Sequence, residues 1–314
     1  RALYLISECQ RMLSGDKSLI TKAAAPADFS VVSYECDRPR PDASPATSAQ
    51  RCATSGDGSH LAGVGSVSNA PPMLHNIGNT CFMNALLQCC RQVISRLPSH
   101  LLPKSQRCPL AVPLRQQTFT AEEIEQWVCW NCLPVGPQRD ASHILEMCFD
   151  DRGPMHSSCT AADCYGALFR SLTSFELVRE CICDSCAHST LDSQEQCILR
   201  VEPDSNTETS ILNSFNVAHV QDYRCESCGG RNARQHTRLG DLPRFLVVHM
   251  NKYAASDGPT TDVEMRLAGA TMQRVAVTHH EGHTPESGHY TATVATTEGM
   301  TYYCDDDRIS RHPN

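Results

Sequence analysis

Long apolar runs are absent from this sequence. No segment approaches the roughly 18 consecutive apolar residues that cross a bilayer as a helix. The first residues also lack the sustained apolar core of a secretory signal. We therefore expect no membrane partner and a cytoplasmic or nuclear location.

Positively charged residues are also fewer than negatively charged ones. Lysine and arginine number 27 against 35 aspartate and glutamate residues, which gives a formal net charge of −8. That balance lacks the basic footprint of a nucleic-acid-binding protein, so no nucleic-acid partner is expected. An acidic chain is better suited to a basic protein substrate.

Large apolar residues are scarce in the N-terminal part of the chain. From Lys22 to Pro72 the sequence is dominated by Ala, Pro, Ser, Gly and Asp, a composition that cannot build a core. Before it, apolar residues at helical spacing predict a short helix within Ala2 to Ile20. We expect residues 1–72 to form a largely disordered extension and residues 73–314 to form the folded domain. The chain starts with Arg1 and not with Met, which is typical of a fragment.

Cysteine, by contrast, is abundant, with 19 residues spread unevenly along the chain. In a chain of this length, that pattern favours metal sites and free thiols in a reducing compartment over a secreted disulfide scaffold. One Cys-x-x-Cys pair, Cys129 and Cys132, is isolated. A single such pair is expected by chance, so we give it no metal role.

Two further Cys-x-x-Cys pairs lie in the strand-like region 173–253. Each pair can present two thiolates from one tight turn, which together suit a closed, structural four-sulfur zinc site. The linker between the pairs is longer than in a compact zinc ribbon, so spacing alone leaves zinc and no zinc equally open. The candidate ligands are Cys183, Cys186, Cys225 and Cys228, with Cys181 as an alternative to Cys183.

A cysteine at the start of a predicted helix is the first candidate for chemistry. Residues 76–88 read Asn-Ile-Gly-Asn-Thr-Cys-Phe-Met-Asn-Ala-Leu-Leu-Gln, in which Asn79 or Thr80 can cap the helix that follows. Cys81 then lies in the first turn, where unpaired amides and the helix dipole lower the pKa of a thiol. Asn76 can turn its amide towards an oxyanion beside that sulfur. For an arbitrary cysteine, a buried structural role is the more common reading.

A thiolate nucleophile needs a base, and the base needs a group that orients it. Two predicted strands flank a Thr-Thr-Glu-Gly turn near the end of the chain, with His289 at the start of the first strand. A hairpin centred on Thr297 would place His289 opposite Asp305, with the Cβ atoms about 5 Å apart. A shift of one residue would put Asp306 there instead.

Two other segments are predicted to belong to the core. Gln138–Asp150 has the pattern of an amphipathic helix, with Asp140 near its start, where a carboxylate is favoured. Leu242–Tyr253 is a continuous apolar run after a proline, which is typical of a buried central strand.

Taken together, these stretches resemble the ubiquitin-specific proteases, a papain-like family of cysteine deubiquitinases. Residues 76–88 resemble the family's cysteine box at thirteen consecutive positions. Gly-His-Tyr-Thr-Ala-Thr-Val at 288–294 and the Asp pair at 305–306 resemble its histidine box. The helix from Gln138 is a partial match to the second box, and the paired cysteines resemble the family's zinc fingers.

The resemblance implies a fold and a set of roles. The fold is α+β, that of a papain-like cysteine protease with finger, palm and thumb parts and a structural zinc ion in the fingers. Cys81 would be the nucleophile, His289 the general base, Asp305 its orienting acid, Asn76 the oxyanion-hole side chain and Asp306 a secondary polar contributor.

The resemblance also implies how the substrate and the metal are held. Gln138 and Asp140 would lie beside the channel for the substrate tail, where Asp140 can pair with an arginine of ubiquitin. The four paired cysteines would be the zinc ligands, with no catalytic cofactor. The family continues past the Asp pair into a final aromatic-rich strand, which this sequence lacks.

The function expected is thiol-dependent hydrolysis of the (iso)peptide bond after the C-terminal glycine of ubiquitin, with ubiquitin and ubiquitinated proteins as partners. One alternative is a catalytically weak or inactive relative that only binds ubiquitin. Another is a protease for a ubiquitin-like modifier. The complete Cys-His-Asp set favours the enzyme, and the cysteine pairs favour ubiquitin.

Overall fold

The computed structural model describes residues 2–8, 70–104, 108–115, 138–150, 156, 159–250, 264–267, 269–284 and 287–312. The isolated Cys129/Cys132 pair, residues 9–69 of the predicted extension and residues 251–253 of the predicted central strand lie outside the described residues.

The helices precede most of the strands along the chain. None of those described is long and apolar enough to cross a membrane. They are α1 (Cys81–Ser95), α2 (Ala111–Arg115), α3 (Ala141–Phe149), α4 (Tyr165–Thr173) and α5 (Thr207–Asn213), with 3-10 turns at Ser99–Leu101 and Ala161–Asp163.

Helix α1 is the central helix of the helical lobe, since every residue from Cys81 to Ile94 is buried. A helix buried all round must satisfy its own polar side chains. Gln88 Nε2 donates to the carbonyl of Pro72, and Arg91 Nε donates to the carbonyl of Pro113 at 3.0 Å. These bonds fix the segments on either side of α1 as well as the helix itself.

The strands form two sheets. The strands are β1 (Ala2–Glu8), β2 (Phe175–Cys183), β3 (Ser189–Gln196), β4 (Leu199–Val201), β5 (Ala218–Val220), β6 (Ala233–Leu239), β7 (Phe245–Met250), β8 (Glu264–Leu267), β9 (Ala270–Thr284), β10 (Ser287–Ala295), β11 (Thr301–Asp305) and β12 (Arg308–Arg311). The larger sheet has the order β12-β11-β10-β9-β1-β7-β4, with β8 also paired to β9, and the smaller sheet has the order β3-β2-β6-β5.

Strand β7 separates two hydrophobic clusters. Phe245 and Val247 belong to the cluster that also contains α1, whereas Leu246 and Val248 belong to the cluster on the opposite face of the large sheet. All six residues of β7 are buried. The buried central strand predicted from the apolar run is therefore confirmed for residues 245–250.

The N-terminal segment corrects the sequence prediction. Residues 2–8 form strand β1, antiparallel to both β7 and β9, and not the helix expected within Ala2 to Ile20. The start of the predicted extension is thus part of the sheet. A short apolar run fits a strand or a helix equally well, and here two neighbouring strands each supply a row of backbone partners.

The smaller sheet carries the cysteine turns away from the core. Strand β3 is exposed along almost its whole length, so this sheet buries little apolar surface of its own. The first cysteine pair lies at the end of β2, and the second lies in the segment between β5 and β6. A sheet with so small a core needs another source of stability at its tip, and the four cysteines are placed where a bound metal ion could provide it.

Candidate active site

The loop before α1 delivers Cys81 to the first turn of the helix. Gly78 and Asn79 have φ of 103° and 56°, the left-handed region that a tight turn uses. Asn76 Oδ1 accepts hydrogen bonds from the backbone N–H groups of Gly78 and Thr80, both at 3.1 Å. Thr80 occupies the N-cap position, but its side chain makes no capping hydrogen bond; its hydroxyl oxygen accepts from the backbone N–H of Ile77 instead, at 3.1 Å. The side chain of Asn76 therefore holds the turn that positions Cys81.

The Cys81 thiol is buried, and its pKa is raised. Burial is the largest cause; the backbone N–H of Tyr290 acts against it, and the negative charge of Asp306 adds to it. The N–H groups of Phe82 and Cys81 also favour the thiolate, as predicted for a helix start. Desolvation outweighs them, so the predicted lowering of the pKa is wrong in sign.

The charge of Asp306 can be tested by its effect on Cys81. Because that carboxylate raises the pKa of the thiol, replacing it in Asp306→Asn should lower the pKa. The rate of alkylation of Cys81 by iodoacetamide, followed against pH by peptide mass spectrometry, should then reach half its plateau at a lower pH. Asp307→Asn is the matched control. A midpoint that stays unchanged or rises in Asp306→Asn would contradict the electrostatic account.

His289 and Asp305 are brought together. His289 Nε2 lies 2.6 Å from Asp305 Oδ1, and both side chains are about one-third exposed, at 39% and 31%. A carboxylate can only accept, so Nε2 carries the proton and Nδ1 is the basic nitrogen of the neutral ring. The Cys81 thiol meets the backbone N–H of Tyr290, the residue next to His289. His289, the predicted base, thus lies on β10, the strand whose backbone contacts the thiol, and Asp305, the predicted acid, lies on the neighbouring strand β11.

The strand register that brings His289 and Asp305 together differs from the predicted register. Ala292 pairs with Cys304 and Ala295 with Thr301, so the hairpin is centred on position 298 and not on Thr297. In this register Asp305 is a diagonal neighbour of His289 and not its direct partner. Diagonal side chains on one face of a ladder are still within reach of each other when they are long.

A glycine-dependent irregularity precedes His289. The pairing of β9 with β10 shifts register between Ser287 and His289. Gly288 has φ of 139°, and a Cβ there would lie 2.3 Å from the carbonyl oxygen of Glu281 and 2.8 Å from His280 Nε2. Only glycine fits this close approach, which sets the point at which His289 leaves the irregular segment.

Aromatic packing joins the two halves of the site. The Tyr290 ring lies 4.3 Å from the His280 ring and meets Phe82 edge-on, at 6.4 Å between centroids. Phe82 follows Cys81 on α1, and Tyr290 follows His289 on β10. The contact between the two rings therefore joins the start of α1 to β10.

Asp306 forms a polar clamp across the same boundary. Its Oδ2 accepts from Asn76 Nδ2 at 2.9 Å, its Oδ1 accepts from Asn84 Nδ2 at 2.8 Å, and its main-chain oxygen accepts from Leu74 N at 3.2 Å. The φ of Asp306 is 52°, an unusual conformation for a residue with a Cβ. Sequence reasoning missed Asn84, although an asparagine among the buried positions of an apolar helix is a signal for such a contact.

The two predicted substrate residues lie at the start of α3. Asp140 is its N-cap, with Oδ1 accepting from the backbone N–H and the hydroxyl of Ser142, each at 2.9 Å. Gln138 is buried, and its Nε2 has no hydrogen-bond partner among the described residues.

Comparison with known proteins decides the family. The sequence profile described as ubiquitin carboxyl-terminal hydrolase matches residues 73–269. The chain belongs to the ubiquitin carboxyl-terminal hydrolase family. It contains a domain of the ubiquitin-specific protease type, as the resemblance of its boxes indicated, and it has the finger, palm and thumb architecture expected of that fold.

Individual relatives are distant. Ubiquitin carboxyl-terminal hydrolase 25 of Arabidopsis thaliana is 22% identical over 309 residues, which covers 77% of this chain and 45% of the relative. Ubiquitin carboxyl-terminal hydrolase 29 of Mus musculus is 24% identical over 228 residues, covering 60% and 26%. The chain thus spans less than half the length of these curated relatives.

Solved structures match at the level of the fold. The SAGA DUB module Ubp8/Sgf11/Sus1/Sgf73 bound to monoubiquitin aligns with a TM-score of 0.55 and 15% identity, covering 81% of this chain and 68% of the matched chain. The same module bound to ubiquitin aldehyde aligns with a TM-score of 0.54.

In this domain the four paired cysteines converge at the tip of the fingers. Cys183 Sγ lies 3.7 Å from Cys228 Sγ, and Cys186 Sγ lies 3.6 Å from Cys225 Sγ. Sulfurs at about 2.3 Å from one tetrahedral Zn²⁺ would be about 3.8 Å apart, so the cluster could hold zinc. Cys181 does not belong to this group of four.

The backbone around the finger cluster supports the same reading. The N–H of Gly230 donates to Cys228 Sγ at 3.4 Å, and a Cβ at Gly230 would lie 3.2 Å from the sulfurs of Cys183 and Cys228. Backbone N–H groups, that of Cys228 first, lower the pKa of the Cys225 thiol to about 6. The residue types, the distances and the backbone donors therefore fit a site in which four cysteine thiolates bind one metal ion.

Loss of one finger ligand should be measurable without an activity assay. We expect Cys183→Ser to lower the zinc content of purified protein by one ion per chain and to lower its thermal midpoint, since metal binding and folding are coupled. Cys181→Ser, a neighbouring thiol outside the cluster, is the control and should change neither. Unchanged metal content and stability in Cys183→Ser would count against a zinc site in the fingers.

Proposed function

We propose that this chain is a deubiquitinase that hydrolyses the (iso)peptide bond after the C-terminal glycine of ubiquitin. The observation that carries the proposal is the contact between the start of α1 and the start of β10. There the Cys81 thiol lies against the backbone N–H of Tyr290, and the adjacent His289 is hydrogen-bonded to Asp305. Family membership supports the reaction class. The ubiquitin-bound state of the Ubp8 module supports the choice of ubiquitin as partner.

The first step is formation of an acyl-enzyme. His289 Nδ1 accepts the thiol proton as Cys81 Sγ attacks the carbonyl carbon of the terminal glycine. Burial raises the pKa of this thiol and so favours its neutral form, which is why we assign His289 the role of general base. Asp305 keeps the proton on Nε2 and stabilises the imidazolium as it forms.

The oxyanion is met by donors at the start of α1. An amide nitrogen has two hydrogens, and Asn76 Nδ2 uses one of them on Asp306. The second hydrogen and the backbone N–H of Cys81 are the donors that we assign to the developing negative charge. Asp306 thereby positions Asn76, which gives this residue a role distinct from that of Asp305.

The tetrahedral intermediate then collapses: the imidazolium of His289 gives its proton to the lysine amine, the C–N bond breaks, and the amine leaves the thioester on Cys81. In the second step His289 removes a proton from water as the water oxygen attacks the thioester carbonyl carbon. The C–S bond breaks, the imidazolium returns its proton to the Cys81 sulfur, and ubiquitin leaves as the carboxylate with its remaining acid proton lost to solvent. Gln138 and Asp140 would bind the extended tail of ubiquitin during both steps, Gln138 through its buried donor.

In the fingers, Zn²⁺ is proposed as a structural ion held by Cys183, Cys186, Cys225 and Cys228. Such an ion supplies folding energy and takes no part in proton transfer, because four protein ligands leave no position for water.

Ubiquitin carrying a C-terminal electrophile tests the proposal directly. We expect the folded chain to gain the mass of one ubiquitin, with the new bond on the peptide that contains Cys81. The same electrophile on a ubiquitin-like modifier is the comparison and should react more slowly. Binding of ubiquitin without an adduct would favour the alternative of an inactive relative, and preferential reaction with the other modifier would overturn the choice of substrate.

Loss of the acid, Asp305, should lower kcat less than loss of the base, His289. We expect Asp305→Ala to lower kcat by about 10–1000-fold, since His289 loses the group that fixes its tautomer. The matched variant is Asp306→Ala, which leaves the His289–Asp305 bond in place and should have the smaller effect on kcat. A larger loss of kcat in Asp306→Ala, at equal thermal stability, would show that the roles of the two acids are exchanged.

A further inference from the structure

A second cluster of metal-binding side chains lies in the helical lobe, away from both the active site and the fingers. Its ligand atoms come from one histidine and three cysteines and all lie within 4.8 Å of one another. From these residues we infer a second structural zinc site, of the Cys₃His type, in this hydrolase. The four residues are Cys108, His156, Cys159 and Cys164.

The distances fit a tetrahedral ion centred between the four residues. His156 Nδ1 lies 3.3 Å from Cys164 Sγ and 3.8 Å from the sulfurs of both Cys108 and Cys159. With Zn–S of about 2.3 Å and Zn–N of about 2.0–2.1 Å, tetrahedral angles put sulfur and nitrogen about 3.5 Å apart. The observed separations bracket that value.

The histidine is oriented as a ligand by its other nitrogen. His156 Nε2 lies 3.0 Å from the carbonyl oxygen of Cys148. A carbonyl can only accept, so Nε2 carries the proton and Nδ1 turns a lone pair towards the three sulfurs. A Cβ at Gly166 would lie 2.7 Å from His156 Nε2 and 2.8 Å from the same carbonyl, so glycine is what lets the ring reach it.

A backbone donor on sulfur completes the resemblance to a metal site. The N–H of Tyr165 donates to Cys108 Sγ at 3.3 Å. The finger cluster has the same feature in Gly230 and Cys228. Such donors stabilise thiolates, the form in which cysteine binds zinc.

The mixture of ligands points to zinc. Three thiolates and one imidazole in a tetrahedral arrangement are typical of structural Zn²⁺, and a harder ion such as Mg²⁺ or Ca²⁺ would require oxygen ligands. Cys108, His156 and Cys164 are almost fully buried, at 1%, 2% and 1% exposure. Cys159 is partly buried, and with four protein ligands the ion would have no open position for water, which again favours a structural role over a catalytic one.

The position of the cluster explains what the ion would stabilise. It would join the segment before α2 to the chain between α3 and α4 and to the start of α4. Helix α2 is in turn tied to α1, because Arg91 Nε donates to the carbonyl of Pro113. The ion would thus support the lobe that carries Cys81, independently of the zinc in the fingers.

Native mass spectrometry of the full chain, purified under reducing conditions with zinc, counts the ions. We expect two Zn²⁺ per chain, one after Cys164→Ser, one after Cys186→Ser, and none after both changes. Cys148→Ala removes a nearby thiol but keeps the carbonyl that orients His156, so it should retain two. A single ion in the unaltered chain that is lost with Cys186→Ser would overturn the inference.

Two further measurements guard against a variant that fails to fold. His156→Cys replaces one ligand by another, so it should still bind two ions, whereas His156→Ala should bind one. X-ray absorption of the unaltered, zinc-loaded chain should give an average of 3.5 sulfur and 0.5 nitrogen ligands per ion. A shell of sulfur alone, or a disulfide among the three cysteines of the reduced and zinc-loaded protein, would contradict the site.

Discussion

Replacing Cys81 with alanine is expected to abolish cleavage of ubiquitin substrates. The residue is the proposed nucleophile, and no other thiol lies in the first turn of α1. Loss of a nucleophile of this kind lowers kcat by about 10⁴-fold or more, which places turnover below detection. Hydrolysis of a fluorogenic ubiquitin amide, measured at saturating substrate, would check the result.

The control for this change lies on the same helix. Cys90 is nine residues further along α1, about 13 Å away, and is equally buried. Cys90→Ala removes the same atom from the same core, so it should cost stability but keep kcat near that of the unaltered chain. Binding of ubiquitin by Cys81→Ala should persist, since the proposed tail-binding residues are untouched. Residual turnover in Cys81→Ala above that of buffer would remove Cys81 from the mechanism.

His289→Ala should match the loss in Cys81→Ala, because the buried thiol with its raised pKa depends on a base to become nucleophilic. The two changes act on one unit, so the double variant should be no worse than either single variant.

The candidate site illustrates what sequence can and cannot predict. The pairing of His289 with Asp305 was predicted from the lengths of two strands and a turn, and it is present although the register was wrong. The hairpin centre depends on the turn at residues 296–300 and on the irregularity at Gly288, which strand periodicity does not specify.

The pKa of Cys81 was harder to predict from the sequence than the position of Cys81 in the fold. The first-turn amides that favour a Cys81 thiolate follow from the sequence, whereas the burial that outweighs them depends on strand β10 packing over α1. The cluster around His156 was missed for a related reason. Its cysteines do not form a Cys-x-x-Cys pair; the available signal was His-x-x-Cys followed by Cys five residues later.

The second large effect is expected from removing strand β1. Residues 2–8 pair with β7 on one side and with β9 on the other, in the middle of the large sheet. Without them, β7 and β9 would face each other across about two strand spacings, roughly 10 Å. Deleting residues 1–8 should therefore abolish cooperative unfolding, measured by circular dichroism or calorimetry.

The size of the effect follows from the burial of β7. All six residues of that strand are buried, so water cannot easily replace the lost backbone partners. Each orphaned buried group costs about 1–3 kcal/mol, so several of them together are comparable with the roughly 5–15 kcal/mol that stabilises a typical domain. The strands that carry His289 and Asp305 lie on one side of β1, and β7 and β4 lie on the other. The sheet would lose its continuity between β9 and β7.

A synthetic peptide of residues 1–10 separates the loss of this strand from general damage. Added to the shortened chain during refolding, it should restore a cooperative transition and reaction with the ubiquitin electrophile, because antiparallel pairing needs no covalent link at this position. The same peptide with Leu5→Pro loses a backbone N–H in the middle of the strand and should restore neither. A shortened chain that unfolds cooperatively without peptide would mean that β7 and β9 can close on each other, and that β1 is dispensable to the sheet.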